Sequence, residues 1–304
     1  MSKQVRASGL SRERGLLEMY EVDPERADAL VFGRRTPLGR RGFLKKAGLF
    51  TMCTALGAII PFSRYMPAGF TPVAFAAEID WVHQLSGSGL TIVNDRPINA
   101  ETPPHLLNDS ITSNPLHFVR NNGLMPQISS LSQWRLRIDG EVMRPTTFSI
   151  GDLKKGFNPV KAALLIECGG NGRAGYNPPA RGNQWTLGAV ANAYWTGVRY
   201  RDVLNAVGVK PSAIYTGHYG ADKHPSGDPE KVVISRGVPV QKAMKSDTIL
   251  AFEMNGEPIP LTHGAPLRVV VPGWPGSASQ KWLNRITVRD QVHDGPKMTG
   301  KSYR

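Results

Sequence analysis

From residue 116 onward, short apolar runs alternate with polar, glycine-bearing loops. Leu116 to Val119 reads as a strand-like piece that delivers a donor cluster, Arg120-Asn121-Asn122. Trp134 to Gly140 alternates apolar and polar residues, the two-residue period of a half-buried strand, and its Asp139-Gly140 close predicts a hairpin. Ser149 before Ile150-Gly151-Asp152-Leu153 marks a turn into a short helix. The apolar run Leu165-Ile166 ends at Glu167-Cys168 and opens into Gly169-Gly170-Asn171-Gly172-Arg173. That pattern predicts the end of a buried strand and a tight loop presenting a sulfur, with Asn171 bonding the turn. The glycines allow unusual backbone angles and the close approach of a bulky group. Pro178 to Trp185 is a polar loop bearing Arg181 and Trp185.

Gly197 to Leu204 begins a helix with one apolar face that stops near Gly208. Thr248–Met254, Pro266–Val271 and Ile286–Val288 read as strands, and Asn255-Gly256 as a hairpin turn. Strands with scattered short helices and long loops predict a mixed α+β fold whose functional residues sit on loops. Residues 77–115, rich in Pro, Asn, Ser and Thr, predict an irregular lead-in packed over the core.

Composition narrows the function classes. The 304 residues include 32 Gly and 24 Pro, which disfavours a helical bundle. The formal net charge is +13, about half of it in residues 77–304, a balance that suits an anionic substrate or an acidic partner. No basic stripe with interleaved aromatics and no zinc-finger spacing supports nucleic-acid binding. Gly295 to Ser302 fits the letters of a phosphate-binding P-loop, but only Tyr303 and Arg304 follow in this sequence, too few for the helix that motif needs, and nucleotide binding is rejected.

Residues 1–76 read as a targeting segment. Arg40-Arg41-Gly42-Phe43-Leu44-Lys45 resembles the twin-arginine export signal, a moderately apolar run follows from Ala47 to Phe62, and Ala74-Phe75-Ala76 offers a cleavage site. The run is too short and too rich in Gly and Thr for stable membrane insertion. Export to the periplasm changes the meaning of the two cysteines. Cys53 leaves with the leader, and Cys168 remains as an unpaired thiol in an oxidising compartment. Sequestration on a soft metal removes that hazard.

Six words occur in order along the chain: Phe118-Val119-Arg120-Asn121; the Cys168 loop with Arg173; Trp195-x-Gly197-Val198 with Asp202-Val203-Leu204; Glu253-Met254-Asn255-Gly256-x-Pro258; His263-Gly264-x-Pro266-x-Arg268 through Gly273; and Lys281-Trp282-Leu283. Together they resemble the sulfite oxidase family, from about His117 to the end of the sequence.

The resemblance implies that residues 116–304 form a mixed α+β molybdopterin-binding domain. It implies a molybdenum-molybdopterin cofactor whose metal takes Cys168 as its protein ligand. It carries cofactor contacts onto Phe118, Arg120, Asn121, Asp222, His263, Arg268, Ser279, Gln280 and Lys281, with Asp222 the weaker match. It carries the substrate pocket onto Arg120, Arg173, Trp185 and Tyr303, with Arg181 at a basic position before the tryptophan. The implied activity is oxidation of sulfite to sulfate, with electrons passing to a c-type cytochrome, since these residues hold no haem-attachment cysteine pair. Two departures stand out. Asn122 occupies a position where many members have histidine, and the sequence ends at Arg304, where the family usually continues into an immunoglobulin-like dimerisation domain, so that domain is expected to be absent and the oligomeric state is open. The alternatives are a reductase of sulfoxides such as methionine sulfoxide, or of N-oxides, on the same scaffold, and a non-catalytic periplasmic binding protein.

Overall fold

A computed structural model of the chain describes residues 81–298. The twin-arginine motif, Cys53, the Ala76 cleavage site and Tyr303 lie outside the described residues. The described part belongs to a single compact unit beginning at Ile79.

The segment expected to be irregular contains a helix, α1 (Trp81–Gly87), and an antiparallel hairpin of β1 (Thr91–Asp95) and β2 (Ile98–Glu101). All four residues of β2 are buried. Val119 joins this hairpin through a bridge to Ala100, so the strand-like piece at 116–119 is one bridge rather than a strand.

Next come β3 (Arg135–Gly140), β4 (Thr146–Ser149), α2 (Ile150–Gly156), β5 (Pro159–Glu167), β6 (Val190–Arg199), α3 (Tyr200–Val207), β7 (Tyr215–Gly220) and β8 (Ser235–Pro239). The chain continues through α4 (Val240–Ala243), β9 (Ile249–Met254), β10 (Glu257–Pro258), β11 (Arg268–Val270) and β12 (Leu283–Arg289). One five-stranded sheet has the order β10-β9-β6-β5, with β11 also on β9. The other runs β4-β3-β12-β7-β8, with β12 parallel to β3 and antiparallel to β7.

Strand period places the cores. Leu250 and Val269 join Leu136, Ile138 and Ile286 in a core built from both sheets. Their neighbours Ile249, Ala251 and Val270 turn to the opposite face, where Trp185, Trp195 and Cys168 pack. The second core lies under the functional cavity described below.

Local chemistry explains the helix ends. Ser149 and Asp152 form a capping box at α2, with the Asp152 amide 3.0 Å from Ser149 Oγ and the Ser149 amide 2.8 Å from Asp152 Oδ2. Helix α3 ends at Gly208, which has φ +72°, as its sequence predicts. It starts at Tyr200 rather than Gly197, because Gly197–Arg199 complete β6.

Two strand expectations need correction. β5 is an edge strand, not a buried one: it pairs with β6 alone and leaves Leu165 51% exposed while Ile166 is buried. Asp139-Gly140 is not a turn but the end of β3, and the chain reaches β4 through residues 141–145. Gly140 is required there because its φ is +86° and a Cβ would collide with the Val288 carbonyl of β12. Gly140→Ala is therefore expected to lower unfolding free energy by about 2–4 kcal/mol, from backbone strain and overpacking together. Denaturant titration of the purified variant checks this; an unchanged midpoint would contradict it.

Candidate active site

The loop after β5 is held on both sides. The Cys168 amide donates to the Ala189 carbonyl at 2.9 Å, and the Asn171 amide donates back to the Cys168 carbonyl at 2.9 Å. The Asn171 side chain accepts from the Ala189 amide at 3.0 Å and donates to Glu167 at 3.1 Å. Gly172 has φ +80°. A Cβ on either Gly170 or Gly182 would sit 2.6 Å from the Arg173 guanidinium, so the bulky group these glycines admit is that guanidinium. Cys168 is buried and free, and it lines a cavity that opens to solvent.

The far wall carries buried positive charge. Arg268 donates to the carbonyls of His263 at 2.8 Å and Ser279 at 2.9 Å, and lies 4.9 Å above the Trp195 ring. Lys281 donates to the Thr262 carbonyl at 2.7 Å and to the Asn121 side chain, 4.5 Å from the Trp282 ring. Arg120 donates to the Asn121 carbonyl, to Asn122 Oδ1 at 2.9 Å and to Asn99 Oδ1 at 3.3 Å. The carboxylate lining the cavity is Asp222.

Burial pulls the Arg268 pKa down to about 9. Burial, reinforced by the Arg268 charge, pulls Lys281 well below the ammonium range, with Asp222 opposing. Burial pushes Asp222 up to about 6. The common cause is burial, to which the like charges of Arg268 and Arg120 add at Lys281.

Several buried donors also lack acceptors. Arg268 Nε and Ser277 Oγ have no protein hydrogen-bond partner, nor does Asn121 Nδ2 just behind the wall. Buried polar groups in a folded protein are normally satisfied. The cavity thus fits a ligand with an anionic group and many acceptor atoms, beside one soft sulfur.

Strand β2 aims two of the segments around this site. Asn99 accepts from the Asn121 amide at 2.7 Å as well as from Arg120. Glu101 accepts from the Thr186 amide and hydroxyl, each at 2.9 Å, fixing the loop that carries Trp185. Neither residue carries a sequence signal of its role; only the hairpin's register reveals it.

Most expected residues meet at the cavity: Phe118, Arg120, Cys168, Asp222, His263, Arg268, Ser279, Gln280 and Lys281 all line it. Asn121 stands one layer behind, accepting from Lys281. The Ser279 hydroxyl accepts from the Val271 amide at 3.0 Å, and the Gln280 side chain donates to the Lys281 carbonyl at 3.3 Å. Trp185 does not line the cavity; it is fully buried beneath it, edge-on to Phe118 with centroids 6.4 Å apart. Arg173 does not line it either, because its guanidinium turns back between Gly170 and Gly182 and donates to the Asn183 carbonyl at 3.2 Å. Arg181 is exposed. Sequence reasoning missed His117 and Lys297. His117 lines the cavity, and Lys297 reaches Asn122 Oδ1 at 3.4 Å from a segment anchored by Arg236, which donates to the Lys297 carbonyl at 2.6 Å.

The model of the oxidoreductase molybdopterin binding domain matches residues 122–297. The chain belongs to the sulfite oxidase family. It is 37% identical over 207 residues to sulfite oxidase of Gallus gallus, covering 66% of this chain and 44% of that protein. It is 37% identical over 203 residues to the nitrate reductase [NAD(P)H] of Hordeum vulgare, covering 65% and 23%. Among solved structures it is similar to the sulfane dehydrogenase SoxCD of Paracoccus pantotrophus, with TM-score 0.58 and 29% identity over 77% of this chain and 60% of that one. The chain spans less than half the length of these two curated relatives. Its fold is the sulfite-oxidase-type molybdopterin-binding domain, and its cofactor is molybdenum-molybdopterin. The cavity agrees: a phosphate answers the buried cations, the pterin's heteroatoms answer the unpartnered donors, and a thiolate suits the metal. Among the described residues no cluster of three or more His, Cys, Asp or Glu offers a separate metal site.

The raised Asp222 pKa has a stability consequence for the cofactor-free protein. The folded state holds its proton to about pH 6, whereas the ordinary value is 3.8. Stability therefore falls as pH rises from about 4 to 6 and is level above that, by up to about 3 kcal/mol. Asp222→Asn should flatten this slope and make the cofactor-free protein more stable than wild type at pH 7. Denaturant titrations across pH 4–7 decide it; parallel slopes in the two proteins would contradict it.

Proposed function

We propose that this protein oxidises sulfite to sulfate at its molybdenum-molybdopterin centre and passes the electrons to a separate c-type cytochrome. The observation that carries the reading is that Cys168 and the Arg120 guanidinium line one cavity. Cys168 is the metal's protein ligand in this reading. Phe118, Arg120, Asn121, Asp222, His263, Arg268, Ser279, Gln280 and Lys281 hold the cofactor. Bound there, the cofactor supplies two-electron oxygen-atom transfer to a small oxyanion.

The chain's own groups bind, orient and exclude. Arg120 brings a fixed positive charge to the cavity wall for a pyramidal oxyanion, and Lys297 adds charge at the neighbouring Asn122. In this proposal Arg173, Trp185 and Tyr303 belong to the substrate side by resemblance to the family; in the structure the Arg173 guanidinium is turned to the Asn183 carbonyl and Trp185 lies beneath the cavity. Phe118 supplies apolar wall, with Trp185 packed edge-on beneath it. Overall, sulfite and one water yield sulfate, two protons and two electrons. In this proposal the electrons leave to a separate carrier. Export by the twin-arginine route is part of the proposal and rests on Arg40-Arg41-Gly42-Phe43-Leu44-Lys45.

The similarity to a nitrate reductase favours a second reading, reduction of an oxyanion or of an S- or N-oxide on the same scaffold. One assay separates the two. The molybdenum-loaded protein is given sulfite with oxidised cytochrome c, and in parallel nitrate or methionine sulfoxide with a reduced viologen. Turnover only in the first arm is expected, and turnover only in the second would replace the proposal. Arg120→Gln should lower kcat/KM for sulfite by about tenfold to a hundredfold, the loss of one charge-assisted contact.

Cys168→Ser exchanges a soft, ionisable sulfur for a hard, poorly ionised oxygen. The variant should keep most of its pterin, which the far wall grips, and lose sulfite turnover by at least about a hundredfold. Pterin content and initial rates on the same preparation test this; wild-type turnover would remove Cys168 from the metal.

A further inference from the structure

His117 lies at 2% exposure against the cavity, in none of the roles assigned above. Its ring stacks on Phe118, with centroids 5.2 Å apart, and meets His263 edge-on at 4.9 Å. Its Nδ1 lies 3.0 Å from the Phe118 carbonyl oxygen. A carbonyl can only accept, so Nδ1 carries the proton and Nε2 is left with its lone pair. That Nε2 is buried and has no partner in the protein.

The imidazole stays neutral at physiological pH. Burial, with the charges of Arg268 and Lys281 acting in the same direction, holds its pKa down to about 3, against the opposing bond to the Phe118 carbonyl.

Apart from the Asp222 carboxylate, the charged groups on the rest of the wall are donors. Arg120, Arg268 and Lys281 present N–H groups, and the carbonyls of Thr262, His263 and Ser279 already accept from Lys281 and Arg268. A pterin presents acceptors, which this wall satisfies, but also ring N–H and amine donors. Burying one of those donors without an acceptor costs its full desolvation. We infer that His117 is a further cofactor-binding residue whose neutral Nε2 accepts a hydrogen bond from a pterin N–H. The phosphate is thus matched by charge and the ring by a neutral acceptor, which sets the orientation in which the cofactor enters. This inference rests on the cofactor and is independent of which substrate is oxidised.

The test compares wild-type, His117→Phe and His117→Gln holoproteins. Phe keeps the stacking partner and removes the acceptor; Gln keeps an acceptor and loses the ring. Molybdenum and pterin per chain are measured on purified protein, and release of cofactor is followed by the fluorescence of its oxidised form. His117→Phe is expected to release cofactor on the order of tenfold faster than wild type, with His117→Gln in between. A residue present only for packing gives the reverse order, and that order would overturn the inference. A second measurement needs no variant. In protein labelled with ¹⁵N-histidine, the Nε2 resonance of His117 should move upfield when cofactor is bound, and an unchanged resonance would overturn the inference.

Discussion

The constraint on which this domain depends is buried positive charge without an equal buried negative charge. Arg268 and Lys281 are held in the interior by carbonyl oxygens and by the faces of Trp195 and Trp282. Those partners are dipoles and quadrupoles, which lessen the desolvation cost of an ion without cancelling its charge. Asp222, the carboxylate on the wall, is itself pushed toward its neutral form. A domain folded in this way is poised for an anion, and anion binding stabilises the folded state by mass action. Cofactor affinity and domain stability are therefore one quantity seen from two sides.

Topology puts that charge in place. β12 lies in the middle of the second sheet, parallel to β3 although paired residues are 148 apart in sequence, and register pairs Ile286 with Ile138. The Ser279–Trp282 run enters directly before β12, so the central strand fixes where Lys281 emerges. Buried Asp139 locks this register from the side, accepting from the Thr287 hydroxyl at 2.8 Å and from Arg285 at 3.1 Å. The other sheet contributes both Arg268, on β11, and Cys168, at the end of β5. The β1–β2 hairpin then supplies Asn99 and Glu101, which orient the Arg120 and Trp185 segments from outside the span of the matched family domain.

What could be read in the sequence was what neighbouring residues decide among themselves. The Asn255-Gly256 turn, with φ of +54° and +86°, the Ser149–Asp152 capping box and the stop at Gly208 are local, and each appears where expected. What could not be read depends on partners far away in the chain. The exposure of Leu165 follows from β5 having one neighbour, and the direction of Arg173 from Gly182, nine residues on. The composition of residues 77–115 hid two strands because Pro, Asn, Ser and Thr punctuate the window, while Ile92 pairs with Ala100 and Asp95 with Ile98 in the hairpin. Ser279-Gln280-Lys281 carries no chemical signal of its own, and only the resemblance singled it out. Lys297 was invisible for the same reason, since its neighbour Asn122 lies 175 residues away.

The two walls of the cavity divide recognition between charge and chemistry. The cationic wall is long-ranged in its attraction and tolerant of exact position, since a phosphate among Arg120, Arg268 and Lys281 gains from each of them. The Cys168 side is short-ranged and exacting, because a thiolate binds only an atom placed against it. Under the proposal that Cys168 ligates the metal, the charged wall draws the cofactor in and the turn at Cys168 sets where the metal sits. Both sides are held: the turn by four hydrogen bonds among Glu167, Cys168, Asn171 and Ala189, and the cationic wall by the carbonyls and amides that accept from Arg268, Lys281 and Arg120.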